Sequence, residues 1–205
     1  KNMSKLRFQP GLTLRNKEKT EILYMPVLLW NNYDKLMLGA SIYNGFLFEE
    51  MIEYGITPLY ALGSKQLVGS ARFGFNFIAL SSLSIKNVNI NFSATRFSHS
   101  DHEQLGNLNY NKLITTSRFN FREKDLRQKK RSYLELRTAI INKEYGKKYI
   151  TYYDKDDVWE KKDLNYNLVD VHYVVEQKQV LKDYKLDLRL EAGEGLLKTN
   201  LTYNT

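Results

Sequence analysis

The sequence predicts an all-β fold, namely an antiparallel, up-and-down transmembrane β-barrel of about 12 strands. Three observations favour this class. Many stretches alternate apolar and polar residues, these stretches are long, and no helical pattern separates them. Successive side chains of a strand point to opposite faces, so a period of two means one oily face and one wet face. We expect residues 1–205 to form one outer-membrane barrel domain.

The first expected strands lead to a tight hairpin. They are Leu6–Arg15, Glu21–Trp30, Lys35–Asn44, Glu53–Leu62 and Gln66–Phe77. Pro10 has no amide donor, which places the first strand at an edge or a bulge. Asn31, Asn32 and Asp34 are turn-forming residues. Gly63-Ser64-Lys65 predicts a tight hairpin between the fourth and fifth strands.

The later strands show the same alternation. They are Leu83–Phe97, Asn109–Arg122, Arg131–Asn142, Asp163–Gln177, Lys182–Ala192 and Leu196–Asn204. The alternation changes phase after Ile85, which predicts a bulge near Lys86. Gly193–Gly195 predicts a tight turn before the last strand.

Strand length separates a bilayer barrel from a soluble sheet. The expected strands run about 9–15 residues, against roughly 9–11 for a transmembrane strand and about 5–6 for an average soluble one. Aromatic residues also gather near strand ends, where they form girdles at a bilayer interface. Examples are Trp30, Tyr33, Tyr54, Tyr60 and Phe97. A helical span is excluded, because no apolar run approaches the required ~20 residues.

Connection lengths predict which end of the barrel faces outward. The gaps Ser98–Leu108 and Lys143–Lys162 are the longest, and two strands separate them, so both lie at one end. Membrane barrels have long external loops and short periplasmic turns. We therefore expect these loops, with the Gly63 and Gly193 turns, outside. The strand count is odd, whereas single-chain bacterial barrels are even-numbered, so we expect a strand missing before Lys1 or one miscounted.

The composition excludes several classes of partner and of chemical site. The formal charge is +8, yet arginines recur singly within strands instead of forming one basic tract with aromatic platforms, so nucleic acid is not an expected partner. The absence of cysteine removes disulfides and thiolate chemistry. His99 and His102 stand in an acidic segment without zinc-helix spacing. The acidic residues between Asp154 and Glu160 are interrupted by Lys155 and followed by Lys161 and Lys162. We expect no catalytic residue, no metal site, no cofactor and no enzymatic activity.

The alternation assigns side chains to lipid or to the barrel lumen. The residues expected to face lipid are Leu67, Ala71, Phe73, Phe75, Val88, Ile90, Phe92, Phe119, Leu186, Leu188 and Leu190. Those expected to face the lumen are Arg72, Asn76, Asn89, Asn91, Arg118, Glu135, Arg137, Asp187 and Arg189. Opposite charges on neighbouring strands predict cross-strand ion pairs inside the barrel.

One region resembles a known family. The residues are Trp30-Asn31-Asn32-Tyr33-Asp34, Leu36-Met37-Leu38-Gly39, Asn44, Ile56-Thr57-Pro58-Leu59-Tyr60, Gly63-Ser64-Lys65 and Leu67-Val68-Gly69 to Arg72. They resemble the C-terminal outer-membrane barrel of Bacteroidetes aminopeptidase-N-like (gluzincin) metallopeptidase proteins, over about a quarter of the chain. That family carries its zinc motif upstream, so no catalytic residue transfers. The family's final aromatic is replaced by Tyr203-Asn204-Thr205, which raises the question of a longer C-terminus.

These observations predict an integral component of the bacterial outer membrane. We expect it to contact outer-membrane lipid and lipopolysaccharide and to serve as an anchor or structural part of a larger cell-envelope protein complex. The alternatives are the barrel domain of a membrane-tethered zinc metallopeptidase, a passive pore, and a soluble β-sandwich that binds a partner or ligand.

Overall fold

A computed structural model describes residues 7–10, 21–44, 50–78, 84–123, 130–149, 158–177 and 183–204. These residues contain strands and turns. Eleven strands follow in chain order: β1 (Arg7–Pro10), β2 (Glu21–Asn31), β3 (Lys35–Tyr43), β4 (Ile52–Ala61), β5 (Gln66–Ile78), β6 (Ile85–His102), β7 (Gly106–Phe121), β8 (Lys130–Tyr149), β9 (Val158–Gln177), β10 (Tyr184–Gly193) and β11 (Leu196–Asn204). Across the described residues, no helix has the length and apolarity needed to cross a membrane.

The strands form a single sheet in which each strand lies beside its neighbours in sequence. From β2 to β11 every pairing is antiparallel, which confirms the expected up-and-down meander. The sheet is not closed between its first and last described strands. The described strands form one sheet, whereas a β-sandwich consists of two sheets packed face to face.

The first strand differs from its predicted orientation. β1 pairs parallel to β2, with Arg7 beside Glu21 and Pro10 beside Tyr24, whereas the sequence led us to expect a hairpin. Alternation reports which face a side chain occupies and contains no information on strand direction, which explains the error. The edge position predicted from Pro10 is confirmed. Residues 11–15 of the expected strand lie outside the described residues.

The two expected long loops are largely strand. β6 and β7 continue to His102 and from Gly106, so only a short turn remains of the loop predicted at Ser98–Leu108. β8 continues to Tyr149 and β9 begins at Val158, which replaces most of the loop predicted at Lys143–Lys162. Backbone hydrogen bonds pair these segments whatever their side chains are. Their side chains are largely polar, so the sequence shows no clear alternation of apolar and polar residues there.

The structure confirms the predicted bulge near Lys86 and the predicted tight turns. The register shifts between Ile85 and Asn87, which confirms the bulge expected near Lys86. The β4–β5 hairpin turns at Gly63-Ser64-Lys65, where Lys65 adopts a φ of 54°. Gly195, in the turn between β10 and β11, has a φ of 71°, a left-handed conformation that glycine adopts without strain.

The sheet packs a small core on one face near the β4–β5 hairpin. Buried Met37, Leu59, Ala61 and Val68 form this cluster, and Phe97 of β6 packs against it. With Phe97, the cluster contains residues of the four neighbouring strands β3–β6 on this face of the sheet.

Candidate functional site on the polar face

The strand register places every residue predicted to face lipid on one side of the sheet. Directly paired residues share a face, and Phe73 pairs with Phe92, Phe119 with Leu134, and Leu188 with Leu201. We call this side the apolar face. Its predicted members are Leu67, Ala71, Phe73, Phe75, Val88, Ile90, Phe92, Phe119, Leu186, Leu188 and Leu190.

Large side chains of the apolar face remain uncovered. Leu28 on β2, Leu67 on β5 and Leu201 on β11 are each about two thirds exposed, at 68%, 67% and 67%. Ile56 and Ile140, on strands between them, are about half exposed. The exposed apolar surface therefore extends from β2 to β11. A contiguous apolar surface of this extent marks a binding or membrane-contacting surface.

The residues predicted to face the lumen share the opposite side, which we call the polar face. Arg118 pairs with Glu135 and Asn76 with Asn89. The small core around Met37 lies on this same face. The predicted members are Arg72, Asn76, Asn89, Asn91, Arg118, Glu135, Arg137, Asp187 and Arg189.

Ion pairs cover the polar face of β7–β10. The Arg118 guanidinium donates to Glu135, with its Nε 2.7 Å from the carboxylate. Arg189 donates through Nε and Nη2 to the buried Asp170 carboxylate and also contacts Glu191 at 2.8 Å. Arg118 and Arg189 thus form cross-strand ion pairs, as expected, although Asp170 was not among the expected partners. Arg72 forms no ion pair with a carboxylate of the described residues.

Asp187, one of the residues expected to face the lumen, contacts His172 and Lys185. Its Oδ1 lies 2.6 Å from His172 Nε2, and its Oδ2 lies 3.2 Å from Lys185 Nζ. The His172 ring in turn packs edge-on against Tyr133, whose ring centroid lies 4.7 Å from the Arg118 guanidinium carbon. Charged and aromatic groups therefore form a continuous network from β7 to β10.

A row of amides crosses the polar face of β4–β7. Asn76 donates to Glu53 Oε1 at 3.1 Å, Asn89 donates to Asn76 at 2.7 Å, and Asn120 donates to Asn89 at 3.1 Å. Asn76 and Asn89 each donate one hydrogen bond and accept another, so the row links four strands side by side. Asn120 and Glu53 were not singled out in the sequence.

Asp34 forms a second polar cluster at the hairpin end of the sheet. Its carboxylate is fully buried and accepts hydrogen bonds from Asn31 Nδ2, Ser64 Oγ, Ser98 N and Ser98 Oγ, at 2.9, 2.6, 3.0 and 2.6 Å. Burial opposes ionisation of this group. The hydrogen bonds from Ser64, Ser98 and Asn31 outweigh that opposition and hold the pKa of Asp34 below its usual range.

The histidines and acidic residues make no metal centre in the described part of the chain. His99 Nε2 lies 2.8 Å from the Glu144 carbonyl oxygen, and the His102 ring packs against Trp159 with centroids 4.3 Å apart. Glu160 pairs with Lys162 at 3.0 Å. Asp154, Asp156 and Asp157 lie outside the described residues.

Sequence reasoning missed the Asp34 cluster. Asn31 and Asp34 were interpreted only as turn residues, and Ser98 as the start of a loop. A signal was present, because an aspartate between two strands of a hairpin is a frequent local acceptor. Its distant donors Ser64 and Ser98, 30 and 64 residues away, leave no trace in the local pattern.

No known protein family, curated protein or solved structure matches this chain.

Proposed function

We propose that this chain is an integral outer-membrane β-barrel, or most of one, that serves as an anchor or structural component in a cell-envelope complex. The observation that supports this most strongly is that the two faces of one antiparallel sheet differ in polarity. The apolar face stays exposed from β2 to β11, while the other face carries ion pairs and amide rows. A membrane barrel needs this division, with apolar side chains outside and polar ones within.

Strand dimensions add support. β2–β5 and β10–β11 have 9 to 13 residues, which suits a tilted crossing of roughly 9–11 residues. β6–β9 have 16 to 20 residues and extend past their neighbours. In the proposed barrel these four strands project beyond the bilayer on the side predicted to be external.

The polar face favours an anchor over a catalyst. Most of its described charges on β7–β10 are neutralised by neighbours, such as Arg189 by Asp170 and Glu191. Ion pairs of this kind fill and brace a barrel interior. The resemblance to metallopeptidase-associated barrels is consistent with this role and supplies a second candidate, a barrel that tethers a separate zinc peptidase domain.

Membrane integration is tested by placing a charge on each face. Phe75→Asp and Leu188→Asp should block outer-membrane assembly, because a charged side chain facing lipid near the midplane costs a few kcal/mol. The matched changes Asn91→Asp and Asn200→Asp lie on the polar face of the adjoining strands β6 and β11 and should assemble normally. Assembly is measured by membrane fractionation and by faster migration of unboiled protein on denaturing gels.

Two results would contradict the proposal. One is recovery of the wild-type chain as a soluble monomer without detergent. The other is normal assembly of Phe75→Asp and Leu188→Asp alongside their controls. Conductance in a planar bilayer separates an open pore from a plugged anchor.

A further inference from the structure

A hollow on the polar face lies apart from the ion-pair network. It spans β2–β6, is partly open and has a volume of about 590 Å³. Pockets for small organic ligands have volumes of about 300–1,000 Å³. The hollow is therefore large enough for a small organic molecule.

Hydroxyl groups line much of this hollow. Ser41 of β3 and Thr57 of β4 are hydrogen-bonded to each other at 2.9 Å. A hydroxyl donates readily to the oxygen of an anion. None of the lining residues is acidic, so no carboxylate in the lining competes for a cation there. The serines and threonines of the lining are Ser41, Thr57, Ser70, Ser93 and Thr95.

Arg72 is the single charged residue of the lining. Its side chain lies across β4, where Gly55 leaves room; a Cβ built on Gly55 would be 2.9 Å from Arg72 Nε. Arg72 is exposed, and no carboxylate among the described residues pairs with it. Arg118 and Arg189, on the same face, are both bonded to carboxylates. The Arg72 guanidinium therefore keeps its planar fork of donors available for a ligand.

The rest of the lining includes the Met25 side chain and the aromatic ring of Tyr43 beside the serines and threonines. An inorganic ion would leave these walls without contacts. We propose that the hollow binds a small organic anion, with its carboxylate or phosphate on Arg72 and the hydroxyls and its apolar body against Met25 and Tyr43. The guanidinium fork matches both anionic groups, which it holds through two parallel hydrogen bonds.

This site goes beyond the anchoring role and does not depend on it. Binding is measured on purified protein, so a chain that fails membrane fractionation can still bind, and a chain that inserts can still fail to bind.

Calorimetric titration of the full-length chain with phenyl phosphate and with benzoate tests the site. We expect saturable binding of at least one of these probes and no binding of benzyl alcohol, which has the ring without the charge. Arg72→Gln should weaken binding at least tenfold, because the paired, charge-assisted hydrogen bonds are lost. Gly55→Ala should also weaken binding, because its methyl group displaces Arg72 while the charge is retained.

Arg96→Gln is the matched control. Arg96 lies on β6 beside Gly69 of β5 and points to the apolar face, so this change removes the same charge close by without touching the hollow. It should leave binding within twofold of wild type. Absence of binding of both probes up to about 10 mM, which detects millimolar Kd values, overturns the proposal. So does equal binding by wild type and folded Arg72→Gln protein, with folding verified by circular dichroism.

Discussion

At the scale of single residues, Asp34 shows how one side chain joins distant parts of the sheet. It stands in the turn between β2 and β3, and its donors come from the β4–β5 turn and from β6. A buried carboxylate is tolerated when every oxygen accepts strong hydrogen bonds. Asp34 meets that condition, so we expect its ionised carboxylate to stabilise the fold and its protonation to weaken the fold.

Asp34→Asn should lower the free energy of unfolding by about 1–3 kcal/mol at neutral pH, because an amide cannot accept all four hydrogen bonds. The effect depends on pH. A carboxyl with a lowered native pKa stabilises the fold above its usual value of 3.8 and loses that contribution as pH falls through the native pKa. Denaturant midpoints at neutral pH and well below 3.8 measure the difference.

The control for this prediction is Asp101→Asn, which changes an exposed aspartate at the same end of the sheet. It should alter neither the midpoint nor its dependence on pH. The prediction fails if Asp34→Asn matches wild type at neutral pH, or if its deficit persists unchanged in acid.

At the scale of strands, an ion-pair cluster around the buried Asp170 carboxylate joins β9 and β10 on the polar face. The Asp170 side chain is 5% exposed, whereas that of Arg189 is 43% exposed. Arg189 reaches Asp170 across the strand pair and Glu191 along its own strand. The cost of breaking this cluster therefore depends on which member is removed, since the buried charge suffers more without its partner.

Arg189→Gln should destabilise the protein more than the double change Asp170→Asn with Arg189→Gln, because the single variant leaves a buried carboxylate uncompensated. We expect a coupling free energy of about 1–3 kcal/mol from the double-mutant cycle. The Arg118–Glu135 pair, whose side chains are 46% and 17% exposed, should show weaker coupling, about 0–1 kcal/mol. Denaturant unfolding measures both cycles, and equal coupling in the two pairs would contradict this ranking.

Across the whole molecule, the described sheet ends in two edges, β1 and β11. Every residue of β11 is exposed, including Leu197 and Leu201. A strand edge leaves amides and carbonyls without partners, which a bilayer does not tolerate. The proposed membrane location therefore requires β11 to gain a second neighbour.

Hydrogen exchange on the membrane-inserted protein tests this requirement. Half of the β11 amides point away from β10, and these should exchange as slowly as the amides of β5, which has a neighbour on both sides. Amides of β10, paired on both sides, provide the internal standard. Fast exchange confined to the outward amides of β11 in the bilayer would show an open edge and contradict barrel closure.

The parts of the fold that the sequence predicted are local ones. β5 was expected at Gln66–Phe77 and spans Gln66–Ile78, because alternation and the flanking turn residues both act within a few residues. The face of each predicted lipid or lumen residue follows from the same alternation. The extended ends of β6–β9 were missed because their side chains are largely polar and show no clear alternation, so backbone pairing defines them.

The sequence by itself determined that this chain is β, where most strands lie and which side chains share a face, since side-chain direction along a strand depends only on position. The tertiary structure decided what those side chains meet. It placed Ser64 and Ser98 within hydrogen-bonding distance of Asp34 and paired Asp170 with Arg189. It also placed Arg72 across Gly55, beside five serine and threonine residues. Such contacts depend on register and curvature between strands, which are properties of the sheet and not of any one segment.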